Sequence, residues 1–165
     1  MKRLALLLGV AILSIGLVQS AMAQDQANQT VTLAVNAVYK IAVSGDPAAL
    51  TINTGTAGVD ALTPATDNST TYSITQNVGT GVKITAGLDA VLPAGYTLTL
   101  NMASTKGTSA GSVDISNASP TAVDVVTTIN KGADAGQGIT YSFSANASAG
   151  TLASTTRTVT LTLTN

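Results

Sequence analysis

Apolar residues recur at every second position along most of this chain, and that spacing constrains its fold more than any other feature. From Val31 to Val43 each odd position is apolar (Val31, Leu33, Val35, Ala37, Tyr39, Ile41, Val43), while even positions carry Thr32, Asn36, Lys40 and other mostly small residues. The alternation returns at Tyr96, Leu98, Leu100 and Met102, at Ile139, Tyr141, Phe143 and Ala145, and at Val159, Leu161 and Leu163. A period of two places one set of side chains on a single face of an extended strand, which is the pattern of a half-buried sheet and not of a helix. The first run would extend about 40 Å as one strand, longer than strands usually are, so it is expected to do two jobs or to bend between two sheets.

Shorter segments fill in the rest. Gly45-Asp46-Pro47 ends the first strand, and Leu50 to Ile52 reads as a short one. Tyr72 and Ile74 open a strand that turns at Val78 to Gly81 into Val82, Ile84 and Ala86, so the two are expected to pair as a hairpin. Val113 and Ile115 form a short strand, Val123 to Ile129 is either a bulged strand or a helical turn, and Lys131 to Gly138 reads as a loop. The fold class expected is therefore all-β, an antiparallel β-sandwich of about eight strands. Threonine, β-branched and polar at once, suits the wet face of such a sheet. A membrane barrel would need aromatic girdles, which four tyrosines and one phenylalanine cannot supply.

The first residues set the expected compartment. Lys2 and Arg3 precede the apolar run Leu4 to Val18, and Ala21-Met22-Ala23 has the small-x-small form of a signal-peptidase site. Residues 1–23 are thus expected to be a helical signal peptide cleaved between Ala23 and Gln24, since the run falls short of the roughly 20 residues that span a bilayer. That leaves 24–165 as a single exported domain, in the periplasm, secreted or on the cell surface, with no membrane insertion. Lys40, Lys83, Lys106, Lys131 and Arg157 then face eight aspartates, a net charge of about −3, and no nucleic-acid partner is expected of so thinly charged a surface.

Composition narrows the chemistry. The chain has no histidine, cysteine, tryptophan or glutamate, which removes the usual general base, the thiol nucleophile and the commonest metal ligand. The glycines Gly132, Gly136 and Gly138 lack the lysine and following helix of a phosphate loop, and the dispersed aspartates match no calcium loop. No catalytic residue, metal or cofactor is expected, and the chain reads as non-enzymatic.

The two ends carry the remaining information. A polar leader, Gln24 to Gln29, runs into the long alternating segment, and the sequence finishes on the alternating strand TRTVTLTLTN. A strand that laid three or four Val or Leu side chains in a neighbour's groove would gain roughly 5 to 12 kcal/mol before ordering costs. Such contact is heterologous and grows an open filament. Internal pairing of both ends in one closed sandwich is the alternative, and the residues leave both open.

The Gln/Asn/Thr leader, the alternating Val31 to Ala37 and the terminal VTLTLTN resemble cysteine-free pilin and capsule-fibre subunits of the chaperone-usher kind and related spore-coat-like surface proteins. The resemblance implies an Ig-like, pilin-like sandwich in which 24–38 is an N-terminal donor extension. It assigns Val31, Leu33, Val35 and Ala37 as donor side chains and Val159, Leu161 and Leu163 as the acceptor edge. It also implies self-association into a homopolymer, with an export chaperone or assembly platform as a further partner. The intradomain disulfide and penultimate tyrosine of many such subunits are missing here. The expected function is a structural subunit of a cell-surface fibre, pilus or coat built by β-strand addition. The alternative is a monomeric extracellular adhesion module that binds sugar or protein through its loops.

Overall fold

The alternating segments form nine antiparallel strands in the computed structural model, which describes residues 25–165. The segment expected to be a signal peptide, with Ala21, Ala23 and Gln24, lies outside the described residues. All nine strands belong to one unit, Val35–Asn165. One sheet runs β1 (Tyr39–Val43), β2 (Ala65–Gln76), β8 (Gly132–Ala145), β4 (Tyr96–Met102) and β6 (Val113–Asp114). The other runs β5 (Thr108–Ser109), β7 (Val123–Ile129), β3 (Val82–Leu88) and β9 (Val159–Thr164). The inward residues of both, among them Tyr72, Ile74, Ile84, Leu100, Val126 and Ile139, form a single buried core, the arrangement of a β-sandwich.

Where one face is dry and the other wet, the sequence pattern becomes the burial pattern directly. In β4, Tyr96, Leu98, Leu100 and Met102 are buried while Thr97, Thr99 and Asn101 are not. β3 alternates in the same way, and Ile84, fully buried, faces Val126 on β7 and Leu163 on β9. Ile84→Ala is expected to cost about 2–5 kcal/mol, the range for truncating a packed core side chain, and urea denaturation reads it directly.

Four expectations are corrected. First, the strand pattern that starts at Val31 is realised only in the second part of the run: β1 begins at Tyr39, opposite Gln76, the last residue of its partner β2. One step further out the Asn77 side chain accepts from Val38 N (2.8 Å) and donates to Asn36 O (2.8 Å), and there the pairing ends. Second, Leu50 to Ile52 is irregular, although Leu50 and Ile52 pack against the core.

Third, β2 and β3 are not a hairpin but lie in different sheets. The turn between them wraps the buried Gln76 side chain, whose oxygen accepts from Val78 N and whose nitrogen donates to Ile129 O (3.1 Å), tying the corner to β7. Fourth, the glycine-rich 132–138 is the first half of β8. Its register against β2 shifts between Tyr72 and Ile74, and Gly136, at φ 64°, donates to Ser73 Oγ. Glycine there lets a bulge absorb the mismatch without ending the strand. Val123–Ile129 is the bulged strand, with register shifts against β3.

Candidate functional site

β1 and β9 are edge strands of opposite sheets, and no ladder joins them. They approach each other closely, and beside them a groove of about 1120 Å³ reaches toward a floor that is itself largely buried. Its floor is the inward face of β8, Ile139, Tyr141, Phe143 and Ala145, with Tyr96 and Leu98 of β4 beside it. Ile41 and Val43 of β1 with Leu50 and Ile52 form one wall, and Val159 and Leu161 of β9 form the other. The rings of Tyr96 and Phe143 stack at 6.2 Å and 9°, which keeps the floor flat. Buried between apolar neighbours and near the Asp46 carboxylate, the Tyr141 hydroxyl has its pKa raised, so it stays neutral.

Two polar atoms in this lining have no partner. Thr70 on β2 is 4% exposed, and its hydroxyl makes no hydrogen bond. Arg157 turns Nη1 to Thr155 Oγ1 and Thr156 O, but its buried Nε is also unpaired. Buried polar groups are ordinarily satisfied, and each orphan costs about 1–3 kcal/mol.

The residues assigned as donors are placed without a partner. Val31, Leu33 and Val35 are 71%, 87% and 88% exposed, Ala37 is exposed too, and none lies in a strand. The residues assigned as the acceptor edge, Val159, Leu161 and Leu163, all pair with β3 and pack against the core, and the first two also line the groove. Sequence reasoning missed Thr70, Arg157 and the β8 floor as site residues. The alternation at Ile139 to Ala145 marked a buried face, and that face is buried, but nothing local shows that a groove reaches it.

Elsewhere, a polar hollow of about 470 Å³ lies among Leu92, Tyr96, Thr97, Asp114, Ser116 and Asn117. Its one aromatic residue, Tyr96, is buried and offers no platform for a sugar ring. A second polar cluster surrounds Asp134, 3% exposed, whose carboxylate accepts from Thr105 Oγ1 (2.7 Å), Thr105 N (2.9 Å), Ser104 Oγ (3.0 Å) and Lys106 N (3.1 Å). Burial pushes its pKa up, but the bonds from Thr105, Ser104 and Lys106 outweigh this and hold it below the usual value. Its acceptor positions are consumed in fastening the loop after β4 to β8, so it reads as a structural anchor. Among the described residues no acidic cluster is arranged to hold a metal ion. No family model matches this chain, and no curated protein or solved structure is significantly similar to it.

Proposed function

We propose that this chain is an exported, non-enzymatic subunit of a surface fibre or coat, an Ig-like sandwich that assembles by receiving the leader strand of another copy in its groove. The observation that carries this reading is the pairing of an apolar groove between the edge strands with an exposed apolar segment of matching length. Ile139 to Ala145 along the floor and Val31 to Ala37 in the leader each span about 20 Å as strands, and each presents an apolar side chain at every second residue. Docking would bury the Val and Leu side chains for roughly 5 to 12 kcal/mol gross and would give the β1 or β9 edge a ladder partner.

Exchange between copies is favoured over self-insertion by the direction of the chain. Residues 36–38 continue the line of β1 beyond Gln76, held by Asn77, at the opposite end of the sandwich from Tyr96 and Ala145, where the groove finishes. A leader entering its own groove would have to reverse at residues 37–38 and give up both Asn77 bonds.

Electron microscopy and unboiled denaturing gels of the purified exported chain test the proposal. Filaments and a ladder of SDS-resistant bands are expected, both lost on deleting 24–37; a sharp monomer at high concentration with the leader intact overturns it. Intact mass measurement of the exported chain is expected to give an N-terminus at Gln24, and retention of the first 23 residues would contradict the export reading.

A further inference from the structure

Charge is divided between the two ends of the sandwich. Every lysine among the described residues lies toward the end where β1 and β3 begin. Lys40 is opposite Thr75, and Lys83 follows Val82, which pairs with Ile129. Lys106 O accepts from Asn130 N, and Lys131 precedes Gly132, which pairs with Gln76. Lys83 is engaged by Asp124 at 2.9 Å, and Asp134 is buried and fully bonded, so Lys40, Lys106 and Lys131 remain as exposed positive charge.

The other end is acidic. Asp89 follows Leu88 at the far end of β3, and Asp60 bonds Ser148 beyond the end of β8, both exposed. Arg157 is the one cation there among the described residues, and its Nη1 is engaged by Thr155 Oγ1 and Thr156 O. The strands separating the ends, such as Tyr96–Met102, extend about 20 Å, twice the screening length at physiological salt, so each end presents its own sign to an approaching molecule.

We infer that the lysine end of one copy docks on the aspartate end of the next, and that this charge match fixes the direction in which the leader enters the groove. The inference rests on the strand-addition reading and deepens it. Asn36 to Val38 leave the body at the lysine end, and the groove finishes near the aspartate end, at Leu92, Tyr96 and Ala145. A leader that runs antiparallel to β9 exits there at Ala37 and brings its own lysine end against Asp60 and Asp89. A leader that runs parallel to β9 exits at the acceptor's lysine end and sets like charges together, an arrangement that would close a reciprocal dimer. Opposite charges at opposite ends therefore select open head-to-tail growth.

Two full-chain variants test this: Lys106→Asp with Lys131→Asp, which makes both ends acidic, and Asp60→Lys with Asp89→Lys, which makes both ends basic. Polymer growth is followed by light scattering, with circular dichroism melts confirming that each variant is folded. Each variant alone is expected to polymerise at least tenfold more slowly than the wild-type chain, and an equimolar mixture is expected to recover most of the rate by alternating the two. Wild-type growth is expected to slow severalfold between low and high salt. Variants that polymerise alone as fast as their mixture, or salt-independent growth, overturn the docking inference and leave strand addition standing. A wild-type chain that forms no polymer overturns strand addition itself. Should the Asp60→Lys change unfold its chain through loss of the Ser148 bonds, Asp89→Lys alone with the acidic variant gives the same comparison.

Discussion

Leu33→Asp is expected to leave the chain monomeric. The leucine side chain contributes about 1.5–3 kcal/mol when it enters an apolar groove, and an unpaired carboxylate in its place adds a desolvation cost of several more. A loss of about 5 kcal/mol weakens association by roughly 10³- to 10⁴-fold, enough to abolish filaments at micromolar concentration. Thr32→Asp is the matched control. It adds the same charge one residue away, on the opposite face of the strand, and is expected to assemble like the wild type because alternate residues face opposite ways. Size exclusion with light scattering and unboiled gels read both. Equal assembly by the two variants would mean that the leader is not bound through its odd face.

The second large effect concerns stability. Asp134→Ala removes the acceptor of four hydrogen bonds and strands their donors under the loop after β4. It is expected to cost about 3–5 kcal/mol, a large share of the 5–15 kcal/mol typical of a whole domain. Because the folded-state pKa of Asp134 lies below its ordinary value of 3.8, its contribution is complete above that value. It is lost as the pH falls through the folded-state pKa. The wild-type chain should therefore lose stability steeply below about pH 4, and Asp134→Asn should be less stable at neutral pH with a shallower acid slope. Urea denaturation across pH 2–7 measures both, and parallel stability curves for the two chains would show that Asp134 carries no such role.

The all-β architecture was legible because alternation is a local property and most strands have one wet face. Tyr96–Met102 and Val159–Thr164 fall where their patterns put them. What escaped depends on partners distant in sequence. Val31 to Ala37 has the same pattern as Tyr39 to Val43, yet only the latter is a strand, because β2 ends at Gln76 and leaves nothing to pair with the rest. The glycine-rich start of β8 hid a strand, since its regularity comes from bulged pairing with β2 and not from its own composition. The β2–β3 corner looked like a hairpin turn, and what sends it across the sandwich is the buried Gln76 side chain reaching Ile129. The groove itself lies between two edge strands far apart in sequence, which no single run of residues encodes. Val159 and Leu161, singled out from the alternation of the last strand, are among the residues that line it.

The most direct measurement uses the Leu33→Asp monomer, isotopically labelled, titrated with an unlabelled peptide of residues 25–38. Strand addition predicts saturable one-to-one binding, with amide and side-chain shifts concentrated at Thr70, Tyr141, Phe143 and Leu161 and slowed amide exchange along alternate peptide positions. No binding, or shifts confined to surfaces away from these residues, would contradict it.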